Sequence, residues 1–164
     1  MKINPRQILK GIFLALCAII FALLAMPSLA PAATFRVDDT GTLVSQPVTS
    51  MKWRQVVPSR TGDNAVEGQL SVSLRLNLTN WINRPARIYM VLAPTEGEQL
   101  IATWRTQGRL LPGSVRGGGR ALVFDGVVLE PFLNETIQLN LMADGRLLTR
   151  TQQLQFYFEI EVSP

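Results

Sequence analysis

The sequence predicts an all-β domain, an antiparallel β-sandwich or barrel, and three observations carry that prediction. Segments of strictly alternating apolar and polar residues recur, with Gln69 to Leu78 and Leu154 to Val162 the cleanest. A period of two sends successive side chains to opposite faces, burying one and wetting the other, a segregation no helix achieves. Turn-forming residues separate these segments at short intervals, and beyond the N-terminal apolar run no stretch has helical periodicity. The chain has 164 residues, enough for one domain with a sizeable core.

The first element is a leader. Lys2, Arg6 and Lys10 form a basic flank, and no charge then occurs from Gly11 to Phe35. A dense apolar stretch from Ile12 to Met26 ends at Pro27, and Ala30-Pro31-Ala32 places small residues around a cut before Ala33. That pattern predicts a signal peptide over residues 1–32, with an uncleaved anchor as the alternative. Either way the basic flank stays inside and everything after it is exported, so the membrane is met only through the leader. The chain is expected in the periplasm and then at the cell surface, as a single domain over 33–164.

Phe35 and Val37 alternate with polar neighbours before a turn at Asp38-Asp39-Thr40-Gly41. Leu43-Val44 and Trp53 to Val57 read as short strands, with Pro47 between them and a loop from Pro58 to Asn64 behind. The strong strand Gln69 to Leu78 follows, then a loop from Asn80 to Pro85 and a more fully buried strand from Ala86 to Ala93. Leu100 to Trp104, Leu110-Leu111 and Ala121 to Phe124 are shorter apolar runs, the last preceded by a loop at Arg116-Gly117-Gly118-Gly119-Arg120. Asp125-Gly126 and Asp144-Gly145 read as hairpin turns, flanking the alternation of Ile137, Leu139 and Leu141 and leading into Leu147-Leu148. Leu154 to Val162 closes the chain.

Composition excludes several functions. Histidine is absent and the single cysteine, Cys17, lies in the leader, so Ser-His-Asp or Cys-His catalysis, a His/Cys zinc site and an intrachain disulfide have no residues to use. Three of the sixteen basic residues leave with the leader and no acidic residue does, which brings the remainder to thirteen against twelve. The remaining cations are arginines except for Lys52, spread singly among acids, and no basic stripe suits nucleic acid. No catalytic constellation, metal site or cofactor site is expected, and the chain reads as a non-enzyme.

Three patterns test that reading. Asp39-Thr40-Gly41 matches the tripeptide that carries the aspartic-protease carboxylate, but Asp38 stands where an apolar residue belongs and no strand precedes it to build the site. A solvated turn explains it better; an aspartic-type protease using Asp39 is the third functional reading. Glu159 and Glu161, with Tyr157 beside them, share one strand face, which suits the wet side of a half-buried strand better than acid–base work. Trp53, Trp81 and Trp104 suit core or rim packing better than a sugar platform.

The alternating strands Leu70 to Leu78 and Ile137 to Leu141, the Gram-negative style leader and the closing Leu154-Gln155-Phe156-Tyr157-Phe158-Glu159-Ile160-Glu161-Val162 together resemble a chaperone–usher fimbrial subunit of the disulfide-free branch. The resemblance implies an immunoglobulin-like sandwich of about 7–9 strands, left incomplete until a neighbour's N-terminal extension fills it. It implies other pilus subunits and a periplasmic chaperone as partners. Only Phe35 and Val37 alternate after the cut, a short donor that fits a minor or accessory subunit better than a major pilin. The strand-pairing candidates are accordingly Leu154, Phe156, Phe158, Ile160 and Val162 on the closing strand and Phe35 and Val37 at the N-terminus. The alternative is a self-contained periplasmic or extracellular β-sandwich that binds a ligand as a monomer.

Overall fold

A computed structural model describes residues 33–45, 50–55, 64–94, 100–146 and 154–162. The leader, the Pro58 to Asp63 loop and Leu147-Leu148 lie outside the described residues. The described chain is all-β, an antiparallel sandwich of ten strands and one three-residue 3₁₀ turn.

The strands run in chain order as β1 (Ala33–Arg36), β2 (Leu43–Val44), β3 (Lys52–Trp53), β4 (Ala65–Asn77), β5 (Pro85–Leu92), β6 (Ile101–Thr106), β7 (Gly113–Arg116), β8 (Arg120–Val127), β9 (Phe132–Asp144) and β10 (Phe156–Val162). One sheet has the order β1-β10-β5-β8. The other has the order β2-β4-β9-β6-β7, with β3 also on the open side of β4. The count is one above the expected seven to nine, and β2 and β3 are two-residue pairings along one edge of β4.

Alternation explains the core. Along β4, Val66, Leu70, Val72, Leu74 and Leu76 are buried while Gln69, Ser73 and Arg75 are exposed. β9 pairs with β4 over thirteen residues without a register shift and supplies Ile137, Leu139 and Leu141 to the same core. The facing sheet contributes Ile88, Met90 and Leu92 from β5 and Phe158, Ile160 and Val162 from β10. Burying this apolar area is the dominant stabilising term, since no disulfide is available.

Two turn expectations differ from the structure. Asp125-Gly126 is not a hairpin turn: both residues lie inside β8, paired with Arg87 and Ala86 of β5. A long-range ladder overrides the local turn preference there, and the chain continues past Val127 to cross into the other sheet at β9. The expected Asn80 to Pro85 loop begins inside the 3₁₀ turn Thr79–Trp81, which tucks Trp81 into the core, and ends before Pro85, the first residue of β5. The glycine-rich loop after β7 is a turn as expected, and its backbone bonds β5 through Gly118 N to Leu92 O and Leu92 N to Gly119 O, at 2.9 and 3.0 Å.

Gly113 shows how tightly the sandwich is packed. It stands opposite Trp104 in the β6–β7 ladder. A Cβ there would lie 2.6 Å from the indole, which is itself fixed by donation from Trp104 Nε1 to Leu111 O at 2.9 Å.

Candidate strand-pairing site

The closing strand β10 is the second strand of its sheet, with β5 on one side and β1 on the other. The sequence marks β10 as an edge candidate; in the fold the edge belongs to β1. Four antiparallel pairs join them, Ala33 with Val162, Thr34 with Glu161, Phe35 with Ile160 and Arg36 with Glu159. Val37 N extends the ladder by donating to Phe158 O at 2.9 Å. The chain then leaves this sheet, and Asn77 N donates to Asp38 O at 2.9 Å in the opposite one. The N-terminal segment thus bridges both sheets along one side of the sandwich.

The candidate residues fall into two groups. Phe158, Ile160, Val162 and Val37 are buried. Leu154 and Phe156 pack against the core from its margin, and the Phe156 and Phe158 rings meet edge to face at 6.1 Å. Phe35 differs, for it remains 47% exposed while its ring lies 6.1 Å from Trp81. Every residue of β1 is exposed. Its outer side faces no strand among the described residues. An edge of that kind offers unpaired N–H and C=O groups to a further strand.

The outer face of the same sheet is a charged and aromatic layer. Arg36 stacks its guanidinium over Tyr157 at 4.5 Å, tying β1 to β10 by a cation–π contact. Arg120 of β8 reaches across β5, covering the Tyr89 ring at 4.5 Å and pairing with Glu161 at 2.8 Å and Glu159 at 3.8 Å. The bond to Glu161 raises the Arg120 pKa above its already high value. Burial, reinforced by a hydrogen bond with Glu161, pushes the Tyr89 hydroxyl up. The two glutamates thus share one arginine on a solvated face, an arrangement that orders strands rather than one that holds a free acid beside a free base.

The other patterns have structural roles. Asp39 O accepts from Thr42 N at 3.0 Å, closing a turn in which Gly41 takes φ 98°, a conformation only glycine adopts without strain. Thr40 N donates to Asp38 Oδ1 at 3.0 Å, and hydrogen bonding with Thr40 lowers the Asp38 pKa. The tryptophans do not converge: Trp104 is core, Trp81 lies beneath Phe35, and Trp53 is on β3 at the edge of the other sheet. Among the described residues no group of three or more carboxylate, histidine or cysteine side chains converges as a metal site would require.

Two contributors are not identified from the sequence. Trp81 supports Phe35, and its signal is an aromatic in the loop joining two core strands. Arg120 links β8 to β10 although its local setting suggests only a loop end. An arginine on the same face as a Glu-x-Glu strand is the clue, and it becomes legible only once strand order is known. No family model, no curated protein and no solved structure matches this chain.

Proposed function

We propose that the protein is an exported subunit of a surface fibre, a minor or accessory fimbrial component that joins its neighbours by pairing strands between chains. The observation that supports this reading most is the position of β1. The first strand after the expected cleavage site occupies the edge of the apolar-faced closing strand, is exposed throughout, and has a ladder of four pairs. Backbone hydrogen bonds of this kind are indifferent to which chain supplies the strand, so β1 of a second copy or of another pilus subunit can make them equally well. The four-pair ladder and full exposure make the resident strand cheaper to open than the long core strands β4 and β9, which pair over thirteen residues. Assembly then exchanges contacts rather than creating them, with a periplasmic chaperone protecting the edge in transit.

A second reading is favoured by the fact that β10 has in-chain partners on both sides. On that reading the sandwich is complete and works as a monomeric periplasmic or extracellular binding module.

One experiment separates the two. The purified protein is mixed with a synthetic peptide spanning Ala33 to Val48 and followed by calorimetry and size-exclusion chromatography. Slow, nearly irreversible binding with a raised melting temperature supports strand donation in trans. A monomer that melts cooperatively at the same temperature with and without peptide overturns it in favour of the self-contained module.

A further inference from the structure

The outer face of the second sheet carries a different surface, independent of the β1 edge. At its centre β4, β9 and β6 lie side by side. Two rows of outward side chains cross these strands. Gln69, Asn140 and Thr103 form one, and Ser71, Gln138 and Arg105 form the other. Strands about 4.8 Å apart and residues about 6.7 Å apart along each strand make a polar patch roughly 10 Å by 7 Å. The face is not flat. Together with the segment Thr106 to Gly108 it forms an open groove of about 730 Å³, within the ~300–1,000 Å³ common for ligand sites.

The lining has a specific chemistry. Gln69, Gln138, Asn140, Thr103 and Thr136 line it with planar amides and hydroxyls. Gln138 Nε2 already donates to Ser71 Oγ at 3.0 Å and Thr103 Oγ1 to Ser114 Oγ at 3.2 Å, which leaves the Gln138 Oε1 and Thr103 oxygen lone pairs to accept from a ligand hydroxyl. Asn140 Oδ1 is buried without a hydrogen-bond partner, an acceptor that costs free energy until a donor reaches it. Of the two charged residues in the lining, Glu135 is already engaged. Its carboxylate accepts from the backbone N–H groups of Arg109 and Leu110 and holds the rim segment in place. Arg105 is exposed and has no ion pair among the described residues. The groove therefore presents one uncompensated guanidinium amid amides and hydroxyls, with no aromatic residue in the lining. A peptide would want an open strand edge or apolar side-chain pockets, and this face supplies neither.

We propose that this groove binds an acidic saccharide, with the Arg105 guanidinium pairing the sugar carboxylate and Gln138, Asn140 and Thr103 hydrogen-bonding the ring hydroxyls. A guanidinium matches a carboxylate in a two-bond fork, which sets the preference for acidic over neutral sugars.

The test is isothermal titration of the purified protein with two carboxylated probes, sialyllactose and an oligogalacturonate, against lactose as the neutral control. At least one carboxylated probe is expected to bind saturably and at least about tenfold more tightly than lactose, a difference of about 1.4 kcal/mol. Arg105→Gln, on an exposed strand position that tolerates the change, should reduce that probe to the lactose level with an unchanged melting temperature. Asn140→Ala should weaken whatever binding remains. Arg87→Gln, a charge change of the same kind on the opposite sheet, should leave binding as it is. Failure of both carboxylated probes to bind saturably overturns the proposal, as does an acid preference that survives Arg105→Gln or is lost equally in Arg87→Gln.

Discussion

Leu74 and Ser73 are neighbours on β4 whose side chains leave opposite faces of the strand. Replacing each with alanine separates burial from position. Leu74 is 3% exposed within the core between the sheets, whereas Ser73 is on the solvated side opposite Leu43 and Thr136. Truncating a buried leucine forfeits its transfer free energy and leaves a cavity that a well-packed core closes only partly, for a cost of about 2–5 kcal/mol. A domain of about 130 residues unfolds with an entropy of roughly 0.27 kcal/mol/K, so Leu74→Ala should lower the melting temperature by roughly 7–18 °C. Ser73→Ala should cost under about 0.5 kcal/mol, or less than about 2 °C. Differential scanning calorimetry reads both directly. A urea titration should show the Leu74→Ala midpoint shifted at constant slope, as for a loss of stability without a change in unfolded-state exposure. Equal shifts from the two variants, or a larger one from Ser73→Ala, would refute the two-faced reading of β4 and the sandwich built on it.

Further expectations come from single contacts. Gly113→Ala should destabilise by about 1–3 kcal/mol in the same assay, because the new Cβ meets a Trp104 ring that its own hydrogen bond holds still. The Asp144 carboxyl is held down to about 2, first by the Arg146 side-chain hydrogen bond and then by the Arg146 backbone bond. An NMR titration should place its midpoint there, and Arg146→Gln should raise it towards the ordinary carboxylate value. Since the folded pKa is the lower one, the stabilisation from this turn is complete above about pH 4 and is lost as pH falls through about 2. Glu161→Gln should bring the Tyr89 hydroxyl down towards its ordinary pKa in an ultraviolet titration, without reaching it, because burial is the larger cause and remains.

The core faces were legible because alternation is a local signal. Leu70 to Leu76 and Ile137 to Leu141 could bury one side only as strands. Neighbour relations were not, because they depend on which strands meet across long stretches of chain. Asp125-Gly126 has a hairpin composition, yet its ladder with Arg87 and Ala86 is assembled from residues nearly forty positions away, and local turn chemistry does not register that competition. The apolar ribbon of β10 correctly signalled a face that must be covered. Its place one strand in from the edge follows from β1 folding back against the far end of the chain. The polar rows of the second sheet were present as the wet half of the alternation, but only the order β4-β9-β6 sets Gln69, Asn140 and Thr103 in one line.

The exchange of β1 between chains is tested most directly by cross-linking its register. Thr34 faces Glu161 in the β1–β10 ladder. Directly opposed strand residues have Cβ atoms about 4.5–5.5 Å apart, near enough for a disulfide to close with slight adjustment. In a Cys17→Ser background, one preparation carries Thr34→Cys and the other Glu161→Cys, and the two exported proteins are mixed under mild oxidation. The account predicts disulfide-linked heterodimers that accumulate over time, well above the homodimers formed by either protein alone. If the doubly substituted chain closes on itself while the mixed single variants stay monomeric, β1 belongs permanently to its own sandwich and strand exchange is contradicted.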